Sequence, residues 1–297
     1  MKILVANPAG NITIFVLDSA EGASERAGMT RAIMADGRLG AEQVGFVIPA
    51  GSSGPALRQA PEPALWRLEM AGGEFCGNAS RSFGLYVAQM QGLKGTARIA
   101  VSVSGAEEPV ITDVDLEKNL ASAEMPKPRA LETLNFDGRS LPAVVFEGIT
   151  HVIACGLKPE SKTFYAIMAV AERKLKPFPA LGVMFCDASC AAASASGGVR
   201  SIFMRPAVYV RNTGTLVFES SCGSGSAAMG VWLARELGSG AAVYAIAQPG
   251  GVIETKVTKK SGEIAGLTIG GEVKLGAAED FPWPADIVKN TCGGRFQ

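Results

Sequence analysis

The sequence predicts a mixed α/β (α+β) fold made of two similar domains, and three observations carry that prediction. A strand, a cysteine loop, a helix, a strand, a glycine turn and another strand occur in that order twice. Each loop sets a cysteine before glycine and small polar residues, first as Phe75-Cys76-Gly77-Asn78-Ala79-Ser80 and later as Ser221-Cys222-Gly223-Ser224-Gly225-Ser226. The chain has 297 residues, 47% of them hydrophobic, enough for two domains of ordinary size with substantial cores.

Taken in order, Ile3–Ala6 reads as a strand, Asn7-Pro8-Ala9-Gly10-Asn11 as a turn, and Ile12–Leu17 as a β-branched strand. A helix is expected over Ala23–Ala35 and a strand over Glu42–Ile48. Ser52-Ser53-Gly54-Pro55 marks a surface loop, and Trp66–Met70 alternates as a strand leading through Gly72-Gly73 to the first cysteine. Behind that cysteine, Phe83, Val87 and Met90 recur at helical spacing and Gly92 supplies a stop. Thr96–Val103 and a further strand beyond Gly105 follow. In the second half Ala227, Val231 and Ala234 repeat the helical spacing and predict a helix over 226–237, with Gly238 as the expected stop. Val243–Ala247, the turn Gln248-Pro249-Gly250-Gly251, and Val252–Val257 complete the repeat. The join is placed near Leu116–Pro128, which gives domains 1–118 and 119–277 and an irregular extension, 278–297. Ala192–Gly198 is the most linker-like run and is expected to be a loop.

Charge and composition exclude several classes. Twenty-eight basic and 28 acidic residues cancel, leaving no footprint for nucleic acid and no polybasic membrane patch. No apolar run is long enough to span a bilayer. The opening Met1–Pro8 run is too short for a signal peptide and reads as a strand, from which a cytoplasmic location is expected. The six cysteines fit a reducing compartment. Cys186-x-x-x-Cys190 lacks a second pair or a nearby histidine, so no metal site is expected, and Cys155, Cys186, Cys190 and Cys292 are read as packing or surface thiols.

The chemistry is concentrated at the two loops. A cysteine at a helix N-terminus meets free N–H groups and the positive end of the helix dipole, which favour an anion and draw a thiol pKa from about 8.5 towards neutrality. Two such ends facing one another would grip a carboxylate between two thiols, the arrangement needed to invert the adjacent carbon. Cys76 and Cys222 are the candidate thiols of such a site, with Gly77, Asn78, Gly223 and Ser224 as the candidate carboxylate donors. Asn11 is a candidate head-group ligand or a turn cap. Glu219, three residues before Cys222, is a candidate for the substrate ammonium, for polarising a thiol, or for a solvated carboxylate. Glu42 is a candidate for reading a polar substrate side chain. His151, the single histidine, is either structural or a residue that orients a thiol.

Asn7–Asn11, Cys76-Gly77-Asn78, Gly148-Ile149-Thr150-His151, Cys222–Gly225 and Pro249-Gly250-Gly251 occur in the order seen in the diaminopimelate epimerase-like superfamily of cofactor-independent racemases and epimerases, which the chain resembles. The resemblance implies two pseudo-symmetric domains, each a curved, barrel-like sheet around a central helix, with the site between them. It further implies catalysis by the two cysteines without pyridoxal phosphate or another cofactor, His151 as a residue tuning a thiol, and a homodimer. Diaminopimelate epimerase itself has side-chain-reading residues where this chain has Met70, Ile149 and an arginine-free Thr215–Ser221 stretch. Asn7–Thr13, Glu42–Phe46, Glu74–Ala79 and Glu219–Gly225 are more similar to the histidine racemases of the superfamily, with broad-specificity racemases nearby. The expected substrate is thus histidine or another free amino acid. Diaminopimelate epimerase, a two-thiol oxidoreductase and a non-enzymatic binding protein are the alternatives.

Overall fold

The computed structural model describes residues 1–18, 22–51, 65–188, 190 and 200–283. The loops expected at Ser52–Pro55 and Ala192–Gly198, and the tail from 284, lie outside them. The fold is mixed α/β, with a large curved sheet and few helices.

The first half runs β1 (Lys2–Asn7), β2 (Thr13–Val16), α1 (Ala23–Ala35), β3 (Gln43–Ile48), β4 (Arg67–Met70), α2 (Gly77–Met90), β5 (Thr96–Val103), β6 (Val110–Asp115) and β7 (Leu120–Glu124). The second half runs β8 (Ala130–Phe136), β9 (Arg139–Val145), β10 (Ile149–Cys155), α3 (Ser161–Lys174), β11 (Ala180–Cys186), β12 (Arg200–Val210), β13 (Thr215–Phe218), α4 (Gly223–Leu233), β14 (Gly240–Gln248), β15 (Gly251–Lys260) and β16 (Glu263–Glu272). Two short strands follow, β17 (Lys274–Leu275) and β18 (Glu279–Asp280).

Strand pairing repeats between the halves. In the first, β1 and β2 pair antiparallel, β2 and β3 parallel, β3 and β4 antiparallel, β4 and β5 parallel, and β5, β6 and β7 antiparallel in turn. In the second, β9, β10, β11, β12, β14, β15 and β16 follow the same order of orientations. The parallel steps need crossovers, and α1, α2, α3 and α4 supply them. The repeats join where β7 pairs antiparallel with β16, from Thr268↔Glu124 to Glu272↔Leu120.

α2 and α4 are the central helices of the two halves. Every residue of α2 from Gly77 to Ala88 is buried, and in α4 only Ser224 is less than fully buried. A helix covered on all sides needs small residues where strands cross it closely. A Cβ on Gly84 would sit 2.1 Å from Thr112 Oγ1 on β6, and one on Gly230 would sit 2.4 Å from Thr255 Cγ2 on β15. The same contact thus recurs at equivalent places in the repeat.

Three element expectations need correction. α4 ends at Leu233, not at a glycine stop at Gly238, because Lys259 Nζ donates to the carbonyl oxygens of Ala234 and Arg235 at 3.3 and 3.1 Å. It also begins at Gly223, immediately after its cysteine. The stretch read as irregular after Ala278 contains β18, which pairs with β1 through Lys2↔Asp280 and Ile3↔Glu279.

Candidate active site

The two cysteines hold the same backbone position. Each is the N-cap of its helix, with φ/ψ of −127/111° at Cys76 and −128/113° at Cys222. Each Sγ accepts a bond from the N–H three residues on, from Ala79 and from Gly225, both at 3.4 Å. Each carbonyl also receives a serine hydroxyl, from Ser80 at 2.7 Å and Ser226 at 2.8 Å. These are capping interactions in which sulfur replaces the usual oxygen acceptor.

The helix ends meet each other. A Cβ on Gly223 would lie 3.5 Å from the backbone nitrogen of Asn78, and a Cβ on either Gly77 or Gly223 would lie 2.8 Å from Ile269 Cδ1 on β16. Glycine at both positions lets the two first turns close over one isoleucine. The turns ahead of the cysteines are held as tightly. Gly10, at φ +85°, and Gly250 approach so closely that a Cβ on Gly10 would be 2.5 Å from Gly250 Cα. Gly250 N–H donates to Ser220 O at 2.8 Å, which fixes the backbone between Glu219 and Cys222.

The polar side chains form two connected groups. On the first-half side, Asn11 Nδ2 donates to Glu42 Oε2 at 2.6 Å, Asn78 Nδ2 to Asn11 Oδ1 at 3.3 Å, and Arg81 Nε to Asn78 Oδ1 at 3.2 Å. Asn11, Asn78 and Arg81 are buried. Arg81 Nη1 continues to the carbonyl oxygens of Gly271 and Glu272, at 3.0 and 3.2 Å, across the join between the halves. The Cys76 thiol donates to Gln43 Oε1 at 2.9 Å. On the other side, His151 Nε2 bonds Ser224 Oγ at 2.9 Å, and Ser224 Oγ lies 3.6 Å from Cys222 Sγ. Gln248 accepts from Cys222 N–H at 2.8 Å and donates to Ser226 Oγ at 2.9 Å.

Electrostatics tie the two groups together. The Glu219 carboxyl hydrogen-bonds the Cys222 thiol and also acts on Cys76, and Glu42 acts in turn on Glu219. Burial raises Glu219 to about 7, with Glu42 adding to the rise and the Cys222 hydrogen bond opposing it. The expected drop in thiol pKa does not occur. Burial pushes Cys76 up to about 12, and burial together with Glu219 holds Cys222 well above its ordinary value; the capping N–H groups pull downward but are outweighed. Both sulfurs are therefore held in the thiol form at neutral pH. Burial also lowers His151 to about 3, so the ring bonded to Ser224 is neutral. Burial lowers Arg81 to about 10, which leaves it a cation at neutral pH.

All ten sequence-expected residues fall in this region: Cys76, Cys222, His151, Asn11, Glu42, Gly77, Asn78, Glu219, Gly223 and Ser224. The sequence reading missed Arg81, Gln43 and Gln248. Arg81 had a signal, since a charged residue one turn into an otherwise apolar helix requires a partner. Gln43 and Gln248 had none, because only tertiary pairing brings their amides to the cysteines.

The chain matches the family described as the histidine racemase CntK N-terminal domain over residues 1–280. A histidine racemase of Fusobacterium nucleatum subsp. nucleatum is 32% identical over 244 residues, which cover 79% of this chain and 81% of that one. A histidine racemase of Staphylococcus aureus is 27% identical over 253 residues, or 83% and 85% of the two chains. Among solved structures, a probable proline racemase from Agrobacterium radiobacter with bound carbonate superposes with a TM-score of 0.58 at 13% identity, covering 97% of this chain and 94% of that one. That likeness is one of fold.

Proposed function

We propose, from the premise that this chain belongs to the histidine racemase family, that it inverts the α-carbon of free histidine by passing protons to and from Cys76 and Cys222. It is an isomerase of the racemase/epimerase type. One observation carries the mechanism: two capping cysteines, on abutting helix ends, are both acted on by the Glu219 carboxylate. The sequence of strand pairings repeated around α2 and α4 supports reading the fold as the diaminopimelate epimerase-like kind.

An α-proton is hard to remove because the carbanion left behind needs a sink for its charge. Here the first turns of α2 and α4 take the substrate carboxylate, and their N–H dipoles meet charge as it develops there. The ammonium of the amino acid brings positive charge into a cleft that holds Glu219 and two protonated thiols. That charge favours a thiolate, and Glu219, raised to about 7, is the neighbouring group able to take the Cys222 proton. A thiolate on one face then removes the α-proton while the thiol on the other face delivers its own, so the two sulfurs exchange protonation states. His151 and Ser224 orient Cys222, and Gln43 orients Cys76. The Glu42–Asn11–Asn78 group is placed to bind the polar parts of the substrate, Glu42 reading the imidazole. Met70, at a position where diaminopimelate epimerase reads its second head group, is buried on β4, which supports histidine over diaminopimelate. The same family reading carries a homodimer, which sedimentation of the purified chain tests.

The deciding experiment incubates L-histidine, other amino acids and meso-diaminopimelate in D2O without added cofactor, and follows the α-proton and optical rotation. Histidine should exchange and racemise fastest. Cys76→Ala and Cys222→Ala should each lower racemisation by at least about a hundredfold, the low end of what a positioned acid or base contributes. Near-wild-type racemisation in either variant ends the two-thiol proposal; a faster reaction of another substrate ends the histidine assignment alone.

A further inference from the structure

Three thiols lie outside the cleft and take no part in racemisation. Cys155 ends β10 and Cys186 ends β11, directly opposite one another in the parallel pair. Cys190 follows a turn closed by its own N–H on Asp187 O at 3.0 Å. The three Sγ atoms all lie within 4.8 Å of one another, and those of Cys155 and Cys186 are 3.2 Å apart. Cys190 directs its thiol at a fourth sulfur, Met229 Sδ on α4, at 3.8 Å. Cys186 and Cys190 are buried, while Cys155 keeps some exposure and leaves a way in. The sequence reading took these cysteines as packing or surface thiols. It missed the cluster because the third member is supplied by strand pairing and not by spacing along the chain.

We propose that Cys155, Cys186 and Cys190, with Met229 as a weaker fourth ligand, form a binding site for a soft monovalent cation of the Cu(I) class. A metal held at about 2.3 Å by sulfurs in tetrahedral geometry sets them about 3.8 Å apart. The Cys190–Met229 separation of 3.8 Å already equals that value, and rotation of the Cys155 and Cys186 side chains would open their 3.2 Å separation to it. Among the described residues the cluster includes no histidine or carboxylate, so it offers nothing to a hard cation. Thiolates with a thioether select Cu(I) over ions that prefer nitrogen or oxygen. Arg235 adds positive charge beside Cys155 and Cys190. The same Arg235 would offset part of the negative charge of a three-thiolate site.

The site also touches the scaffold of the racemase cleft. β10 carries His151 four residues before Cys155, and β11 carries Met184, whose Sδ packs against Gly225 in the first turn of α4. A bound ion would tie the far ends of β10 and β11 to the middle of α4. Because it binds the folded chain, it should raise the thermal midpoint.

The test removes the competing thiols. The full chain carrying Cys76→Ser, Cys222→Ser and Cys292→Ser is reduced, kept anaerobic, and titrated with Cu(I) against bicinchoninate, with Zn(II) in a parallel arm. One equivalent of Cu(I) with a sulfur-only shell by X-ray absorption is expected, along with a higher thermal midpoint. Adding Cys155→Ser or Cys190→Ala, each checked for folding by circular dichroism, should weaken uptake at least tenfold. Cys155→Ser at a partly exposed position keeps the test open if Cys190→Ala fails to fold. Failure to compete with bicinchoninate, preference for Zn(II), or uptake unchanged by both substitutions would overturn the proposal. So would peptide maps showing Cys155 joined to Cys186 in protein that refuses metal even after reduction.

Discussion

Glu219 is the group whose proton the cleft controls most directly. Its carboxyl is raised from 4.5 to about 7, so between those values the folded chain keeps a proton that the unfolded chain has released. Unfolding free energy therefore falls as pH rises from about 4.5 to about 7, and above that range the loss is complete. Glu219→Gln removes this contribution. Its thermal midpoint, measured beside that of the wild type, should fall less over the same interval. If the Cys222 thiol needs this carboxylate as its acceptor, kcat/KM of the wild type should rise through about pH 7, and the rise should be absent in Glu219→Gln. A wild-type profile flat between about pH 6 and 8 removes Glu219 from the proton path. His151 cannot produce that limb, because burial leaves it neutral down to about pH 3. The sequence named both residues but could not separate their roles. Residue type and spacing bring a glutamate and a histidine near a cysteine, whereas the sign of each pKa shift depends on how deeply the fold buries them.

α2 and α4 were legible for a reason that applies equally to both. A cysteine before glycine and small polar residues, followed by apolar residues at helical spacing, is a local pattern that needs no tertiary information. The end of α4 was not legible, because its last carbonyl groups are met by Lys259 from another strand. α3 went unread although Phe164, Ile167 and Ala171, all buried, mark one face of an otherwise polar segment. Its signal was weak because only those three residues of its fourteen are buried, and the segment carries no side-chain N-cap. The close helix–strand crossings make a prediction at this scale. Gly84→Ala and Gly230→Ala force a methyl against Thr112 and Thr255, to within 2.1 and 2.4 Å of their nearest atoms. Each should destabilise the fold by about 1–3 kcal/mol in urea titration, the usual range for overpacking a filled core. Gly84→Ala combined with Thr112→Ser, which removes the Cγ2 methyl also in the way at 2.9 Å, should recover part of the loss. No loss in either single variant would mean that the helices are not seated as closely as described.

The two halves repeat each other, yet the way they are joined argues that they do not behave as separate folding units. β7 pairs with β6 on one side and with β16 on the other, so one strand belongs to both ladders. Arg81 reaches from α2 to the carbonyl oxygens of Gly271 and Glu272 on β16, and Ile269 of the same strand lies beneath both Gly77 and Gly223. Unfolding either half would strip the partner strand from the other and leave the Arg81 guanidinium without its acceptors, a penalty too large for a half to survive alone. Tryptophans report the two halves separately: Trp66 stands against Tyr86 of α2, and Trp232 lies on α4. Single-tryptophan variants retaining one or the other should show the same urea midpoint, as coincident probes do in a two-state transition. The stronger form of the test adds Gly84→Ala, whose clash lies wholly within the first half. It should lower the midpoint seen by Trp232 as much as that seen by Trp66. A shift confined to Trp66 would mean that the β7–β16 seam transmits little. The two cysteines would then sit on bodies free to move apart, and a proton path that needs both sulfurs at one carbon would lose the rigidity it depends on.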